Sequence, residues 1–120
     1  MKRILVVEDT WHNRRILRDL LTRAGFEVLE AVNGEEGVTQ AELYQPDLIL
    51  MDIQLPVLNG YEATRIIKSN PILQHIPIVA VTSYALAGDE AKTREAGCDG
   101  YVAKPFSPRK LLAKVQEFLA

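Results

Sequence analysis

Glu8-Asp9, Asp52, Thr82-Ser83 and Lys104-Pro105 each stand directly after a short apolar run. If the fold brings these segments together, three carboxylates converge. They repel one another and raise each other's pKa unless a cation relieves the cost. An all-oxygen donor set selects Mg²⁺, Mn²⁺ or Ca²⁺ over zinc or copper, and a site with few protein ligands completed by water is the habit of Mg²⁺, for which Mn²⁺ can substitute. A carboxylate beside such an ion can attack a phosphoryl group and form an acyl phosphate. The phosphoryl oxygens then need charge neutralisation, which Lys104 offers, and hydrogen-bond donation, which Thr82 and a backbone N–H after Asp52 offer. Taken singly, each residue has an ordinary reading. Acids suit a helix N-terminus, Asp a turn after a strand, Thr-Ser a helix cap, and Lys the solvated surface. The conjunction is what points to one reaction.

The apolar runs are Ile4-Leu5-Val6-Val7, Val28-Leu29, Leu48-Ile49-Leu50-Met51, Ile78-Val79-Ala80-Val81 and the weaker Tyr101-Val102-Ala103. Continuous β-rich runs without polar alternation suit parallel strands covered on both faces. Helical spacing fills the intervals. Ile16, Leu17, Leu20, Leu21 and Ala24 form one side of the first helix, with Arg14, Arg15, Arg18 and Arg23 directed elsewhere, and Gly25 stops it. The second helix spans Gly34 to Tyr44 and the third Gly60 to Ser69. The fourth, near Gly88 to Ala96, lacks a large apolar anchor, which predicts low local stability. Ser107 caps the fifth, Pro108 fits its first turn, and Leu111, Leu112, Val115, Phe118 and Leu119 form its buried stripe. Five alternations of strand and helix predict an α/β (βα)₅ flavodoxin-like three-layer sandwich with a parallel sheet ordered 2-1-3-4-5. Ligands of such sheets bind beyond the carboxyl ends of the strands, where strand order reverses. That order makes strands 1 and 3 neighbours.

Composition narrows the classes. With 120 residues, 48% hydrophobic and 25% charged, the chain fits a single folded domain over 1–120. Lys+Arg 14 against Asp+Glu 16 gives a net charge of −2, which argues against a nucleic-acid or anionic-membrane binder. Cys98 stands alone, and His12 and His75 are the only histidines, so neither an internal disulfide nor a Cys/His zinc site is expected. No apolar run approaches the roughly 18 residues of a membrane span. A reducing cytoplasm is the default setting.

The segments Ile4-Leu5-Val6-Val7-Glu8-Asp9, Pro46-Asp47-Leu48-Ile49-Leu50-Met51-Asp52-Ile53-Gln54-Leu55-Pro56 with Asn59-Gly60, Thr82, and Lys104-Pro105-Phe106 closely resemble two-component response-regulator receiver domains. The resemblance covers essentially the whole chain, and is strongest to stand-alone receivers of the DivK kind and to hybrid-kinase receivers. It implies that Asp52 is the phosphoacceptor, supplied by the phosphohistidine of a histidine kinase or histidine phosphotransferase. Asp9 matches the direct Mg²⁺ ligand, Glu8 the acid acting through a metal-bound water, and Gln54 the residue giving its backbone carbonyl to the metal. Thr82 matches the switch hydroxyl, Lys104 the cation on the phosphoryl oxygen, and Tyr101 the aromatic rotamer switch on strand 5. Lys104-Pro105 matches a peptide that is typically cis in the family. Tyr84 and Gln54 line the approach of water, so they are expected to shield the acyl phosphate and lengthen its life; a plain surface role for Tyr84 stays open.

The chemistry so implied is self-phosphorylation and self-dephosphorylation only, not turnover of a substrate. The chain ends with helix 5, so the expected output is contact with a downstream protein, with phosphorylation-dependent dimerisation left open. The arginine-bearing first helix is the expected docking face for the kinase or phosphotransferase. Rival readings fare worse. A haloacid-dehalogenase-type phosphatase needs Asp-x-Asp on strand 1, where this chain has Glu8-Asp9-Thr10. A flavodoxin-like FMN carrier needs a Ser/Thr/Gly phosphate loop where Glu8-Asp9 would repel phosphate. A pseudo-receiver that never reacts would not need every reactive side chain.

Overall fold

The apolar runs do become strands. In the structure, a computed structural model describing residues 1–83 and 89–119, the elements are β1 (Arg3–Val7), α1 (Trp11–Arg23), β2 (Glu27–Ala31), α2 (Gly34–Tyr44), β3 (Leu48–Asp52), α3 (Gly60–Ser69), β4 (Ile78–Thr82), α4 (Asp89–Ala96), β5 (Gly100–Ala103) and α5 (Pro108–Leu119). All pairings are parallel and the sheet order is β2-β1-β3-β4-β5, as expected. Among the described residues, no helix is long and apolar enough to cross a membrane.

Alternating side chains along the buried strands feed two cores. Leu5, Val7, Ile49, Met51, Ile78 and Ala80 pack on the face with Ala41 of α2 and Ala63 and Ile67 of α3. Ile4, Val6, Leu48, Leu50, Val79 and Val81 pack on the face with Leu17 and Leu21 of α1 and Leu111 and Val115 of α5. Both faces of β1, β3 and β4 are thus covered, which is why their runs read as continuous apolar sequence. The edge strand β2 is exposed at Glu27, half-buried from Val28 to Glu30 and buried only at Ala31, matching its shorter run.

The first helix departs from its expected face. Leu17 and Leu21 are buried and Leu20 half-buried, but Ile16 is exposed, and Ala24 is the exposed C-cap residue outside the helix. Gly25 follows with φ +96°, a left-handed conformation that a side chain would strain, and Phe26 N–H then bonds back to Leu21 O at 3.1 Å. Asn33 and Asn59 cap α2 and α3 by accepting from Glu36 N (2.8 Å) and Glu62 N (3.0 Å). The described part of the fourth helix begins at Asp89, Gly88 lying outside the described residues. Among its described residues the buried ones are Thr93 and Ala96, both small, and none is a large apolar anchor.

Candidate functional site

Strand order reverses between β1 and β3, and the chain leaves the carboxyl ends of both at acidic residues. Glu8 and Asp9 follow β1, and Asp52 closes β3. One carboxylate oxygen from each of the three lies within 4.8 Å of the others. Glu8 and Asp52 are buried while Asp9 is exposed, so the cluster reaches solvent at Asp9.

Lys104 reaches this cluster from the end of β5. Its Nζ lies 3.3 Å from Glu8 Oε1 and 3.4 Å from Asp52 Oδ2. Its side chain is 19% exposed, so the ammonium is directed inward and not into bulk solvent. The Lys104-Pro105 peptide is cis, as the resemblance implies, and Lys104 N–H bonds Thr82 O at 2.7 Å, tying the ends of β4 and β5 together. Thr82 is buried at the end of β4. Tyr101 is half-buried on the same sheet face, two positions back from Ala103, the register partner of Thr82.

The loop after Asp52 folds against its carboxylate. Gln54 N–H donates to Asp52 Oδ1 at 3.1 Å. Gly60, the first residue of α3, presses on the same strand end. A Cβ there would sit 2.3 Å from Asp52 O, so only glycine permits this approach. Ser83 Oγ donates to Gln54 Oε1 at 2.6 Å, joining the loops after β3 and β4. Tyr84 lies outside the described residues.

Two residues of the site went unread in the sequence. Asn13 Nδ2 donates to Glu8 Oε1 at 2.7 Å. Arg14 does not turn away with the other arginines. Its Nη1 donates to Glu8 O (2.9 Å) and Asp9 O (3.1 Å), and its Nε pairs with Glu30 Oε1 at 3.5 Å. First-turn polar residues just beyond a strand-end acid pair were the available signal. Trp11 is 65% exposed, lies under Arg15, and lines a hollow with Arg14, Arg18, Glu30 and Val32.

Electrostatics identify what the cluster can hold. Burial raises the Glu8 carboxyl to a pKa of about 7, with the neighbouring Asp52 carboxylate adding to the rise and Asn13 and Lys104 offsetting part of it. Glu8 Oε2 is buried with no hydrogen-bond partner. An orphaned carboxylate oxygen beside two further acids fits a hard divalent cation, which would restore the full ionisation of the group.

Comparison with known proteins agrees with this geometry. The response regulator receiver domain matches residues 4–116. The polar-differentiation response regulator DivK of Brucella anthropi is 41% identical over 118 residues, covering 98% of this chain and 96% of that protein. The receiver domain of a sensor histidine kinase from Pseudomonas aeruginosa, solved with a magnesium ion coordinated in its active-site cleft, superposes with a TM-score of 0.92 at 38% identity, covering 98% and 97% of the two chains. A Vibrio cholerae chemotaxis protein superposes at 0.93 with 28% identity, covering 98% of each chain. Fold, cluster and sequence therefore converge, and the chain belongs to the response regulator receiver domain family.

Proposed function

We propose that Asp52 accepts a phosphoryl group from the phosphohistidine of a histidine kinase or histidine phosphotransferase, and that this switches a protein-interaction surface. The observation that carries the reading is Lys104 held within 3.4 Å of both Glu8 and Asp52, beside three carboxylates gathered from two strands. Asp9 and Asp52, the backbone carbonyl of Gln54, and Glu8 through water would hold Mg²⁺, or Mn²⁺ in its place. When bound, the ion supplies charge neutralisation for the phosphoryl oxygens.

The protein's own groups do the rest. Gln54 N–H fixes Asp52 Oδ1. An Asp52 oxygen forms the new bond to phosphorus, the P–N bond of the donor breaks, and its electron pair stays on the imidazole nitrogen, which takes up a proton. Lys104 is placed to pair with a phosphoryl oxygen once the carboxylate charge has passed to it. Thr82 supplies a hydroxyl from β4. Drawn toward the new oxygens, it vacates space for Tyr101, which carries the change to the β5–α5 surface.

The donor docks beside the cluster. Asn13, Ile16, Ser83, Lys104, Pro105, Phe106 and Pro108 line a hollow of about 400 Å³. The exposed Ile16, misplaced in a core-facing stripe by periodicity alone, belongs to this docking face. A helix pair presenting its phosphohistidine fits here, with Lys104 at the inner edge. Residues 1–120 act as one signalling domain in a reducing cytoplasm, with no substrate turnover of their own beyond loss of the phosphoryl group.

Incubation with acetyl phosphate and Mg²⁺, followed by intact mass, tests the reading. A gain of one phosphoryl that depends on the metal and is absent in Asp52→Asn supports it. The same gain in Asp52→Asn, or none in the parent chain, refutes it.

A further inference from the structure

We infer that Ser83 is a positioning residue that slows reversion of the phosphorylated chain by engaging the side-chain amide of Gln54. The inference deepens the proposed phosphoacceptor role of Asp52 and rests on it. Ser83 Oγ donates to Gln54 Oε1 at 2.6 Å, between residues 29 positions apart. Ser83 directly follows β4, and Gln54 is the second residue after β3, the strand beside it. The bond therefore spans two loops at the mouth of the acid cluster. Both side chains are exposed, so packing does not dictate the contact. The main chain of Gln54 is already tied to Asp52 Oδ1 at 3.1 Å, so Ser83 settles where the remaining freedom of that residue, its amide, is held.

Hydrolysis of an acyl phosphate on Asp52 requires water opposite the bond to be broken. The water oxygen forms a bond to phosphorus, and the bond from phosphorus to the Asp52 oxygen breaks. Its electron pair returns to the carboxylate, and the proton lost by water passes to solvent or to the departing phosphate. A free primary amide beside that path can turn its carbonyl to accept from the incoming water and align it. With Oε1 engaged by the Ser83 hydroxyl, the carbonyl faces the β4 loop and the amide stays across the approach. Ser83 also lines the docking hollow, together with Lys104. A partner seated there meets the latch directly.

The test follows loss of the phosphoryl group by intact mass after removal of acetyl phosphate, with Mg²⁺ held constant. Ser83→Ala is expected to speed the loss by about threefold to tenfold, the range that one hydrogen bond controls. Ser83→Thr keeps the hydroxyl and is expected to stay near the parent rate. In a Gln54→Ala background, Ser83→Ala should add nothing, because the group through which it acts is gone. A readout free of turnover accompanies the rates. The side-chain amide resonances of Gln54 should shift and sharpen in Ser83→Ala without any phosphoryl donor, while Mg²⁺ affinity, followed by titration calorimetry, stays unchanged. An unchanged rate in Ser83→Ala, or an undiminished acceleration in the Gln54→Ala background, overturns the inference while leaving Asp52 as phosphoacceptor. Failure of the parent chain to gain a phosphoryl group removes both.

Discussion

The ammonium of Lys104 and the carboxylate of Glu8, 96 positions apart in sequence, meet at 3.3 Å inside the molecule. The contact joins the carboxyl end of β5 to that of β1 across the intervening strands. It also leaves the second Glu8 oxygen bare, so the lysine balances only part of the charge that the fold collects.

Replacement of Lys104 by Met keeps the stem and removes the charge. Two buried carboxylates are then left facing each other, partly relieved by solvent on the Asp9 side. The metal-free protein should lose about 1–2 kcal/mol, below the full cost of breaking a deeply buried pair because Lys104 is partly exposed. Phosphorylation by acetyl phosphate should fall at least tenfold, consistent with about 1.4 kcal/mol or more of lost oxygen stabilisation. Urea melts in EDTA and intact-mass time courses measure the two effects.

Gly60→Ala should be severe although the change is one methyl. The new carbon would meet Asp52 O at 2.3 Å and Ile53 Cα at 2.7 Å, both main-chain atoms that cannot rotate aside. Either α3 shifts or the end of β3 does, at a cost of about 3 kcal/mol. Thermal melts should show the loss, and the surviving folded fraction should phosphorylate slowly because Asp52 is displaced.

Val57 sits in the loop after Asp52 with φ +69°, and it is 77% exposed. Leu58 N–H bonds Pro56 O at 2.7 Å, a tight three-residue turn that a β-branched side chain fits poorly. Val57→Gly or Val57→Asn should therefore stabilise the protein by about 1 kcal/mol, since no packing is lost in exchange. A lower midpoint in urea would show that the valine is held by contacts of its own.

Cys98 gives the expected pH behaviour of a buried thiol. Burial raises its pKa above the ordinary 9.0, the Asp99 carboxylate adds to the rise, and Thr64 and Lys68 offset part of it. The folded chain thus holds the thiol proton more tightly than the unfolded chain. The stability so contributed is present below pH 9.0 and fades as pH climbs through the higher folded value. Iodoacetamide should modify the native protein far more slowly than the urea-unfolded protein at pH 8, by at least tenfold. Equal rates would mean that the thiol is open to solvent.

Much of this architecture is written in local sequence, for identifiable reasons. β1, β3 and β4 read clearly because burial on both faces demands unbroken apolar runs, whereas β2, an edge strand, carries only Val28-Leu29 as a signal within Glu27–Ala31. The strand-end acids and Lys104 were legible because their chemistry is distinctive, and because right-handed crossovers leave few strand orders, among which the family resemblance favours 2-1-3-4-5. Ile16 was misread because helical spacing places it beside Leu17 and Leu20, while only the docked angle of α1 decides which flank meets the sheet. Asn13 and Arg14 were missed for the same reason, since their reach to Glu8 depends on how α1 leaves β1. The left-handed Val57 has no local signal either. It sits in a turn closed by Leu58 N–H on Pro56 O, and Leu58 O lies close against Gly34 at the start of α2.

The most direct measurement locates the acyl phosphate itself. Treatment of the phosphorylated protein with borohydride reduces an aspartyl phosphate to homoserine, which peptide mass spectrometry can assign to one position. Homoserine at position 52, appearing only when Mg²⁺ and acetyl phosphate are both supplied, is the predicted result. Homoserine derived from Asp9 or any other acid, with Asp52 recovered intact, would contradict it.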